Sequence, residues 1–277
     1  MSLLALFAFR TLKGTITVVI VIILVLFAGT RTVSVAPDYE LYEYLFSQVL
    51  ISTRDFVELF PYLEICFVII PNLLKFFFQD HSTVVEMTFL IFALLGVSIK
   101  MWTIYRYSSY FFLSVFLYFG FIFLMSDMIT IRAGIASGLF FLSIFFINDK
   151  KNKKVAVLFC IALLFHYSSV ICLFIYVLLY RKISYKTLLI MSLFAVVIAV
   201  GKIDIINLIG LGRLFPKIEM YNEIQRKGGV DQLNLFNFRI LFSIFIIIIF
   251  SVHYKKLRAL PHFDNLFKTH LISVILF

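Results

Sequence analysis

One histidine stands inside an apolar stretch of the sequence, where an ionisable side chain is unusual. His166 interrupts the run LLFHYSSVICLF, which is otherwise dominated by leucine, phenylalanine, valine and isoleucine. A desolvated imidazole is driven toward its neutral form, which can accept a proton. His166 is therefore a candidate general base. The alternative is a structural histidine that hydrogen-bonds neighbouring membrane helices.

A second candidate, Arg132, lies near the start of the run SDMITIRAGIASGLFFLSIFFIN. Ser126 or Asp127 is expected to cap the helix that begins there. The helix dipole disfavours a cation in the first turns, so a nearby anion would account for Arg132. A guanidinium at a helix N-terminus suits phosphate or pyrophosphate, whereas the plain alternative is an arginine that snorkels to the membrane surface. Gly134 and Gly138 form a GxxxG pattern, which is typical of close helix packing.

The elements that carry these two residues are predicted to be membrane helices. Hydrophobic residues make up 62% of the 277 positions and charged residues only 14%, where soluble domains carry about a quarter. The composition predicts an all-α, polytopic integral membrane protein whose residues 1–277 form a single transmembrane domain. The net charge of +10 lies largely in short connectors between apolar runs, which is typical of topology signals and argues against nucleic-acid binding.

Apolar runs define the expected helices, because each is long enough to cross or enter a hydrocarbon core of about 30 Å. These runs lie near 15–29, 62–79, 84–105, 109–125, 130–148, 155–180, 187–206 and 234–253. We therefore expect roughly eight or nine hydrophobic helices, some of them short or re-entrant.

Basic clusters set the predicted topology. The connectors at 149–154, 181–186 and 254–258 are rich in lysine and arginine and are assigned to the cytoplasm. Residues 155–180 are then too few for two crossings of about 20 residues each, so we expect a hairpin of two short helices with HYSS at its tip. A single tilted helix is the alternative. This topology places the start of the Arg132 helix on the outer side of the membrane.

Further candidate residues lie in segments assigned to the outer side. Arg31, Asp38 and Tyr42 belong to the stretch GTRTVSVAPDYELYEY, whose acidic and aromatic side chains could bond or stack on sugar rings. A tyrosine belt at the membrane surface is the alternative. Glu64 lies in a run broken by Pro71, which predicts a partial helix.

The loop from Lys202 to Arg239 contains Arg213 and has an excess of basic residues. That excess suits an anionic ligand at the outer surface, although a solvated loop needs none.

Three segments of the sequence, in this order, resemble motifs of one family. They are GTRTVSVAPDYELY, IRAGIASGLFF and LLFHYSS, with a basic connector between the last two. The chain resembles the EpsG family, relatives of the Wzy-type polymerases that assemble O-antigen and exopolysaccharide repeat units. Its short N-terminal region and its end inside the apolar run HLISVILF predict a chain that is shortened relative to that family.

The resemblance implies a membrane glycosyltransferase of the bacterial inner membrane. Such an enzyme moves a growing glycan from undecaprenyl pyrophosphate to a sugar hydroxyl of another lipid-linked repeat unit at the outer face. A chain-length regulator is a further candidate partner, and neither a metal nor a cofactor is expected.

Specific roles follow from the resemblance taken together with the chemistry of these side chains. Arg132 is expected to stabilise the departing pyrophosphate, with Arg31 or Arg213 as the alternative cation, and His166 or Asp38 to act as the base. Substrate-binding roles are expected for Arg31, Tyr42, Glu64, Ser168 and Arg213.

Two other classes of protein stay open. A flippase for lipid-linked oligosaccharides would have similar spans and a cationic cavity but would need no base. A membrane O-acetyltransferase of surface glycans would also carry an intramembrane histidine, with its key residues nearer the cytoplasmic face.

Overall fold

Every regular element in the part of the chain that the structure describes is a helix, which confirms the all-α prediction. The structure is a computed structural model that describes residues 3–32, 35–36, 38–51, 63–181, 183–201 and 238–276. These residues form two compact units, Met1–Tyr176 and Val177–Phe277.

Among the described residues, four helices are long and apolar enough to cross a membrane. They are Leu12–Gly29, His81–Tyr107, Phe111–Ile129 and Ile131–Asn148. Shorter apolar helices accompany them at Ile65–Leu74, Tyr167–Tyr180, Tyr185–Ile198 and Ile240–Val252. The chain is therefore a multi-pass membrane protein with several partial helices, as the hydropathy pattern predicts.

The first unit contains most of the helices. In chain order they are α1 (Leu3–Gly29), α2 (Tyr39–Ile51), α3 (Ile65–Leu74), α4 (His81–Tyr107), α5 (Phe111–Leu117), a π-helix (Tyr118–Ile129), α6 (Ile131–Asn148), α7 (Asn152–Phe165) and the start of α8 (Val170–Tyr180). Helix α1 packs along α4, and α6 packs against both α4 and α7.

The apolar run at 155–180 is broken at His166. Helix α7 ends at Phe165, His166 is extended (φ −157°, ψ 114°), and a 3₁₀ turn at Tyr167–Ser169 leads into α8. The Ala162 carbonyl, freed at the end of α7, accepts bonds from the His166 amide (2.9 Å) and the Ser169 hydroxyl (3.3 Å). These partners stabilise the break. The predicted break into two short helices that meet at HYSS is confirmed, which excludes a single continuous helix. That the two helices form a hairpin with both ends in the cytoplasm stays a prediction.

Helix α2 corrects one interpretation of the sequence. The stretch from Tyr39 to Ile51 was predicted only as an aromatic, acidic external segment, but it forms a helix with one buried face. Phe46 on that face stacks on Phe67 at 4.3 Å and meets Phe89 edge-on at 5.2 Å between ring centroids. Aromatic contacts of this kind join α2 to α3 and α4.

The start of α6 corrects a second interpretation. Asp127 lies inside the π-helix rather than at a helix cap, and Thr130 occupies the N-cap position without a side-chain cap bond. The glycines of the GxxxG pattern serve close packing, as predicted. A Cβ on Gly134 would overlap the backbone carbonyl of Ser126, and one on Gly138 would lie 3.2 Å from Cγ of Lys100.

The second unit is built from helices that follow the end of α8. They are α9 (Tyr185–Val200), α10 (Phe238–Val252), α11 (Tyr254–Leu257) and α12 (Phe263–Leu276). Helix α9 packs against α12, and Ser243 of α10 hydrogen-bonds Nε2 of His270 on α12 at 3.1 Å. Arg213 lies outside the described residues.

Candidate active site

Arg132, Glu64 and His166 form one hydrogen-bonded cluster in the first unit. Nη1 of Arg132 donates to Oε2 of Glu64 at 2.5 Å, and Nδ1 of His166 lies 3.0 Å from Oε1 of the same carboxylate. The Glu64 side chain is 8% exposed, whereas those of Arg132 and His166 are 21% and 30% exposed. The carboxylate is thus covered, while the guanidinium and the imidazole both reach the surface of the unit.

The hydrogen bond from His166 decides which ring nitrogen is free. An ionised carboxylate can only accept hydrogen bonds, so in the neutral imidazole the proton is assigned to Nδ1. The lone pair then resides on Nε2, which points away from the Glu64 bond. This arrangement, in which a carboxylate orients a histidine, is the one that a general base requires.

The guanidinium of Arg132 lies between aromatic rings and the carboxylate. Its carbon is 5.2 Å from the Tyr42 ring centroid and 4.9 Å from that of Phe67. Its Nε is buried and has no hydrogen-bond partner among the described residues. The anion that the sequence predicts beside Arg132 is present within the chain itself, as Glu64. This pairing excludes a free snorkelling arginine.

Charges around Glu64 keep its carboxyl ionised. Burial alone raises the pKa of Glu64, but the hydrogen bond from His166 and the charge of Arg132 outweigh it and hold the pKa below its usual value. Burial raises the pKa of Tyr42 in spite of the neighbouring Arg132, so its phenol stays neutral. The cluster therefore pairs a charged guanidinium with a charged carboxylate, and the His166 ring bonds the same carboxylate.

Local structure brings the three side chains together. Glu64 directly precedes α3 in an extended conformation, and its side chain meets His166 at the break between α7 and α8. The hydroxyl of Tyr167 donates to the Leu63 carbonyl at 3.1 Å and adds a second link between these segments. Arg132 lies in the first turn of α6, which packs closely against the π-helix at Gly134.

Arg31, a predicted substrate contact, is buried away from this carboxylate. Its guanidinium carbon lies 4.7 Å from the Phe89 ring centroid and 6.0 Å from that of Tyr39, and Nη1 donates to the Ala28 carbonyl. Among the described residues its Nε and Nη2 have no hydrogen-bond partner. Burial lowers the pKa of Arg31 to about 10, which still leaves it charged at neutral pH.

The other predicted contacts lie at different depths. Tyr42 is 5% exposed, with its ring beneath Arg132, so it is a core residue that contacts the cluster. Asp38 is partly exposed and its carbonyl accepts from the Tyr42 amide at 3.0 Å. Ser168 is exposed in the turn next to His166. Their roles toward substrate stay predictions.

A second ionic cluster was missed in the sequence. Nζ of Lys100 on α4 donates to Oδ1 of Asp127 at 2.6 Å, and the Tyr118 hydroxyl donates to Oδ2 at 2.8 Å. The side chains of Lys100 and Asp127 are only 5% and 1% exposed. A lysine within the apolar run at 84–105 was the available signal, because intramembrane charges need a partner.

The first unit is thus a bundle of apolar helices that buries an arginine–glutamate–histidine cluster beside a helix break. These features define a multi-pass membrane protein with an ionisable site. The sequence profile of the EpsG family matches residues 15–277, so the chain belongs to this family, which is related to Wzy-like polymerases. No curated protein and no solved structure matches the chain.

Proposed function

We propose that the protein is a polysaccharide repeat-unit polymerase of the bacterial inner membrane. It transfers a growing glycan from undecaprenyl pyrophosphate to a sugar hydroxyl of another lipid-linked repeat unit at the outer face. Membership of the EpsG family supports a polymerase-like membrane protein, and the site supports the finer chemistry.

The observation that carries the proposal is the pairing of Arg132 and His166 on the two oxygens of Glu64. Glycosyl transfer from a pyrophosphate needs a cation for the leaving group and a base for the attacking hydroxyl. Both groups are partly exposed, and both are oriented by a covered carboxylate. Because Glu64 already holds both side chains in place, they lose little conformational entropy when the substrate binds.

In the proposed reaction, the bond between the anomeric carbon of the donor glycan and the pyrophosphate oxygen breaks. The acceptor hydroxyl oxygen forms the new glycosidic bond, and its proton passes to Nε2 of His166. The pyrophosphate leaves with the bonding pair, and its added charge is stabilised by Arg132. Glu64 occupies one guanidinium donor and Nε is buried, so the phosphate oxygens are proposed to bind the exposed edge of the guanidinium.

Other residues are assigned supporting roles. Arg31 supplies positive charge at the outer end of α1, and Ser168 lies in the turn that carries His166. Asp38 is the alternative base, and Arg213 is proposed as a further contact to the anionic donor. A chain-length regulator is proposed as a partner.

Paired substitutions in the native cell, with its own copy of this protein deleted, test the proposal. Arg132→Lys keeps the charge but loses the guanidinium fork, and His166→Gln keeps a hydrogen-bonding group that takes up no proton at neutral pH. At equal membrane abundance, each variant should collapse the glycan ladder to single repeat units, because loss of a proton-transfer group slows a reaction by roughly 10²- to 10⁴-fold.

The same experiment separates the alternative classes. A flippase needs no base, so a normal ladder from His166→Gln combined with loss of outer-face repeat units in Arg132→Lys would contradict the polymerase proposal. An O-acetyltransferase would leave glycan length unchanged in both variants and would alter the acetyl content of the glycan.

A further inference from the structure

A long π-helix leads directly into α6. It spans the twelve residues Tyr118–Ile129, whereas π-helices occur mostly as single-turn bulges within α-helices, often at functional sites. Arg132 lies only three residues beyond its end. Whatever maintains this wider helix therefore also sets the direction in which the chain enters α6.

The hydrogen bond between Tyr118 and Asp127 requires the π-helical register. The two residues are nine positions apart, and the Tyr118 hydroxyl donates to Oδ2 of Asp127 at 2.8 Å. Nine residues make roughly two turns of a π-helix, whose i→i+5 bonds widen each turn to about 4.4 residues, so both side chains lie on one face. In an α-helix nine residues make about two and a half turns, which would place the two side chains on opposite faces.

Helix α4 holds Asp127 in this position. Nζ of Lys100 donates to Oδ1 of Asp127 at 2.6 Å, and both side chains are almost fully buried. Gly96 precedes Lys100 by one turn on the same face of α4, and a Cβ there would lie 2.5 Å from the same oxygen. Because water does not reach these two charges, each depends on the other as its partner.

The end of the π-helix is joined to the start of α6. The amide and the hydroxyl of Thr130 both donate to the Met125 carbonyl at 2.9 Å, so this residue bonds back to the π-helix instead of capping α6. The Ser126 carbonyl lies against Gly134, where an added Cβ would overlap it. A rotation of the π-helix would therefore carry the first turn of α6 with it, and Arg132 lies in that turn.

We propose that Lys100, Asp127 and Tyr118 position Arg132 by fixing the preceding helix in the π register. The proposal rests on the proposed function, in which the placement of Arg132 decides the reaction, and it adds three positioning residues that act through the backbone of residues 126–134. Without the Tyr118–Asp127 bond the segment can wind as the commoner α-helix, and this turns Arg132 away from Glu64.

Two tyrosines provide a matched pair of substitutions. The hydroxyl of Tyr254 donates to Asp264 within the second unit, so Tyr254→Phe loses the same type of bond as Tyr118→Phe. Both tyrosines are buried, and phenylalanine keeps the ring in each case. Only the Tyr118 bond depends on a π-helix.

Phenylglyoxal, which modifies arginine, reports the position of Arg132 without any turnover. The purified full chain in nanodiscs is treated, and peptide mass spectrometry gives the rate at each arginine. Arg132 should react at least several-fold faster in Tyr118→Phe than in the wild type, because its guanidinium leaves Glu64. The rate at Arg132 should be unchanged in Tyr254→Phe. Equal rates at Arg132 in the wild type and Tyr118→Phe would overturn the proposal.

Arg31 shows whether Tyr118→Phe merely loosens the fold. It belongs to the same unit and is only 6% exposed, so it reacts faster when the unit opens as a whole. We expect its rate to stay at the wild-type value in Tyr118→Phe. Parallel acceleration of Arg31 and Arg132 would mean general unfolding and would refute a positioning role.

A relocated tyrosine tests the register itself. Gly120 lies seven residues before Asp127, about two turns of an α-helix, and a Cβ at Gly120 meets nothing within 4 Å. In Tyr118→Phe/Gly120→Tyr the new hydroxyl meets Asp127 only if the segment winds as an α-helix. Arg132 should therefore stay as reactive as in Tyr118→Phe. A return to the wild-type rate would show that the π register is not needed, which contradicts the proposal.

The labelling rates separate this proposal from the proposed function, because they involve no substrate. Unchanged labelling of Tyr118→Phe rejects the positioning role even if Arg132→Lys loses polymerisation. Faster labelling of Arg132 should be accompanied by a shortened glycan ladder in Tyr118→Phe. Faster labelling with a normal ladder would keep the positioning role and would contradict the part of Arg132 in polymerisation.

Discussion

Arg132 and Glu64 are 68 positions apart in the sequence, yet their side chains form a charged hydrogen bond of 2.5 Å. The bond joins the start of α6 to the residue that precedes α3. It leaves the outer part of the guanidinium accessible and uses the second carboxylate oxygen to orient His166. Glu64 is therefore the residue through which the cation and the imidazole are positioned together.

Glu64→Gln should abolish polymerisation although Arg132 and His166 are both retained. A glutamine amide has one acceptor oxygen and one donor nitrogen, so it cannot accept from both partners. If its nitrogen faces Nδ1, His166 must shift its proton to Nε2 and can no longer act as a base. The glycan ladder measures the loss, which should reach roughly 10²- to 10⁴-fold in rate. A normal ladder from correctly inserted Glu64→Gln would remove Glu64 from the mechanism.

The contribution of the Glu64 carboxylate to the stability of the protein should be lost in acid. Its pKa is held below the usual value in the folded protein. The stability that it contributes is therefore fully present above the unfolded pKa of about 4.3 and is lost as the pH falls through the lowered value. Thermal unfolding in detergent should show a difference between wild type and Glu64→Gln that shrinks as the pH falls below about 4.3. A difference that grows over that range would contradict this account.

Removing only one partner of the buried Lys100–Asp127 pair should destabilise the fold. Lys100→Met leaves a buried carboxylate without its cation, which typically costs about 3–5 kcal/mol. Adding Asp127→Leu and Tyr118→Phe removes the remaining polar groups and should recover much of that loss. Denaturant unfolding of the single and triple variants gives the comparison. A triple variant less stable than Lys100→Met would show that the pair stabilises the fold beyond satisfying its own charges.

Gly134→Ala should disturb the start of α6. The added Cβ would overlap the Ser126 backbone carbonyl, which cannot rotate away as a side chain could. The expected cost is about 1–3 kcal/mol, as for other overpacked sites. Gly120→Ala is the matched control, because a Cβ at Gly120 meets nothing within 4 Å. Unfolding temperatures of the two variants should therefore differ, and equal values would argue against close packing at Gly134.

The predicted membrane topology can be tested by cysteine labelling. In a chain whose native cysteines are replaced by serine, Ile129→Cys should react with a membrane-impermeant thiol reagent added from outside, and Lys150→Cys should not. A permeant reagent should label both and serves as the control. Labelling of Lys150→Cys alone from outside would invert the topology and would place the site on the cytoplasmic side.

Several features of the site were predictable because they depend on local sequence. The basic connectors at 149–154 and 181–186 leave too few residues between them for two full crossings, so the sequence predicts a break near HYSS. The helix dipole disfavours a cation at the start of an apolar helix, so the sequence also predicts an anion beside Arg132. The small residues Gly134 and Gly138 likewise indicate a close helix contact.

Other features depend on partners that are distant in the sequence. The buried face of α2 was missed because aromatic residues at helical spacing next to acidic ones also suit an interfacial loop. Asp127 was interpreted as a helix cap because capping is its commonest role near a helix start. Its actual partners, Lys100 and Tyr118, lie on other elements, and only packing brings them within hydrogen-bond distance.

The sequence by itself determined the class of the protein, the break at His166 and the need of Arg132 for an anion. Hydrophobic length and the cost of an unpaired charge in hydrocarbon are properties of each segment alone. Only the tertiary structure decided that Glu64 supplies the anion and that the same carboxylate orients His166. Such pairing is set by how α3, α6 and the end of α7 pack together, because a hydrogen bond requires atoms within about 3 Å and no sequence spacing specifies that approach.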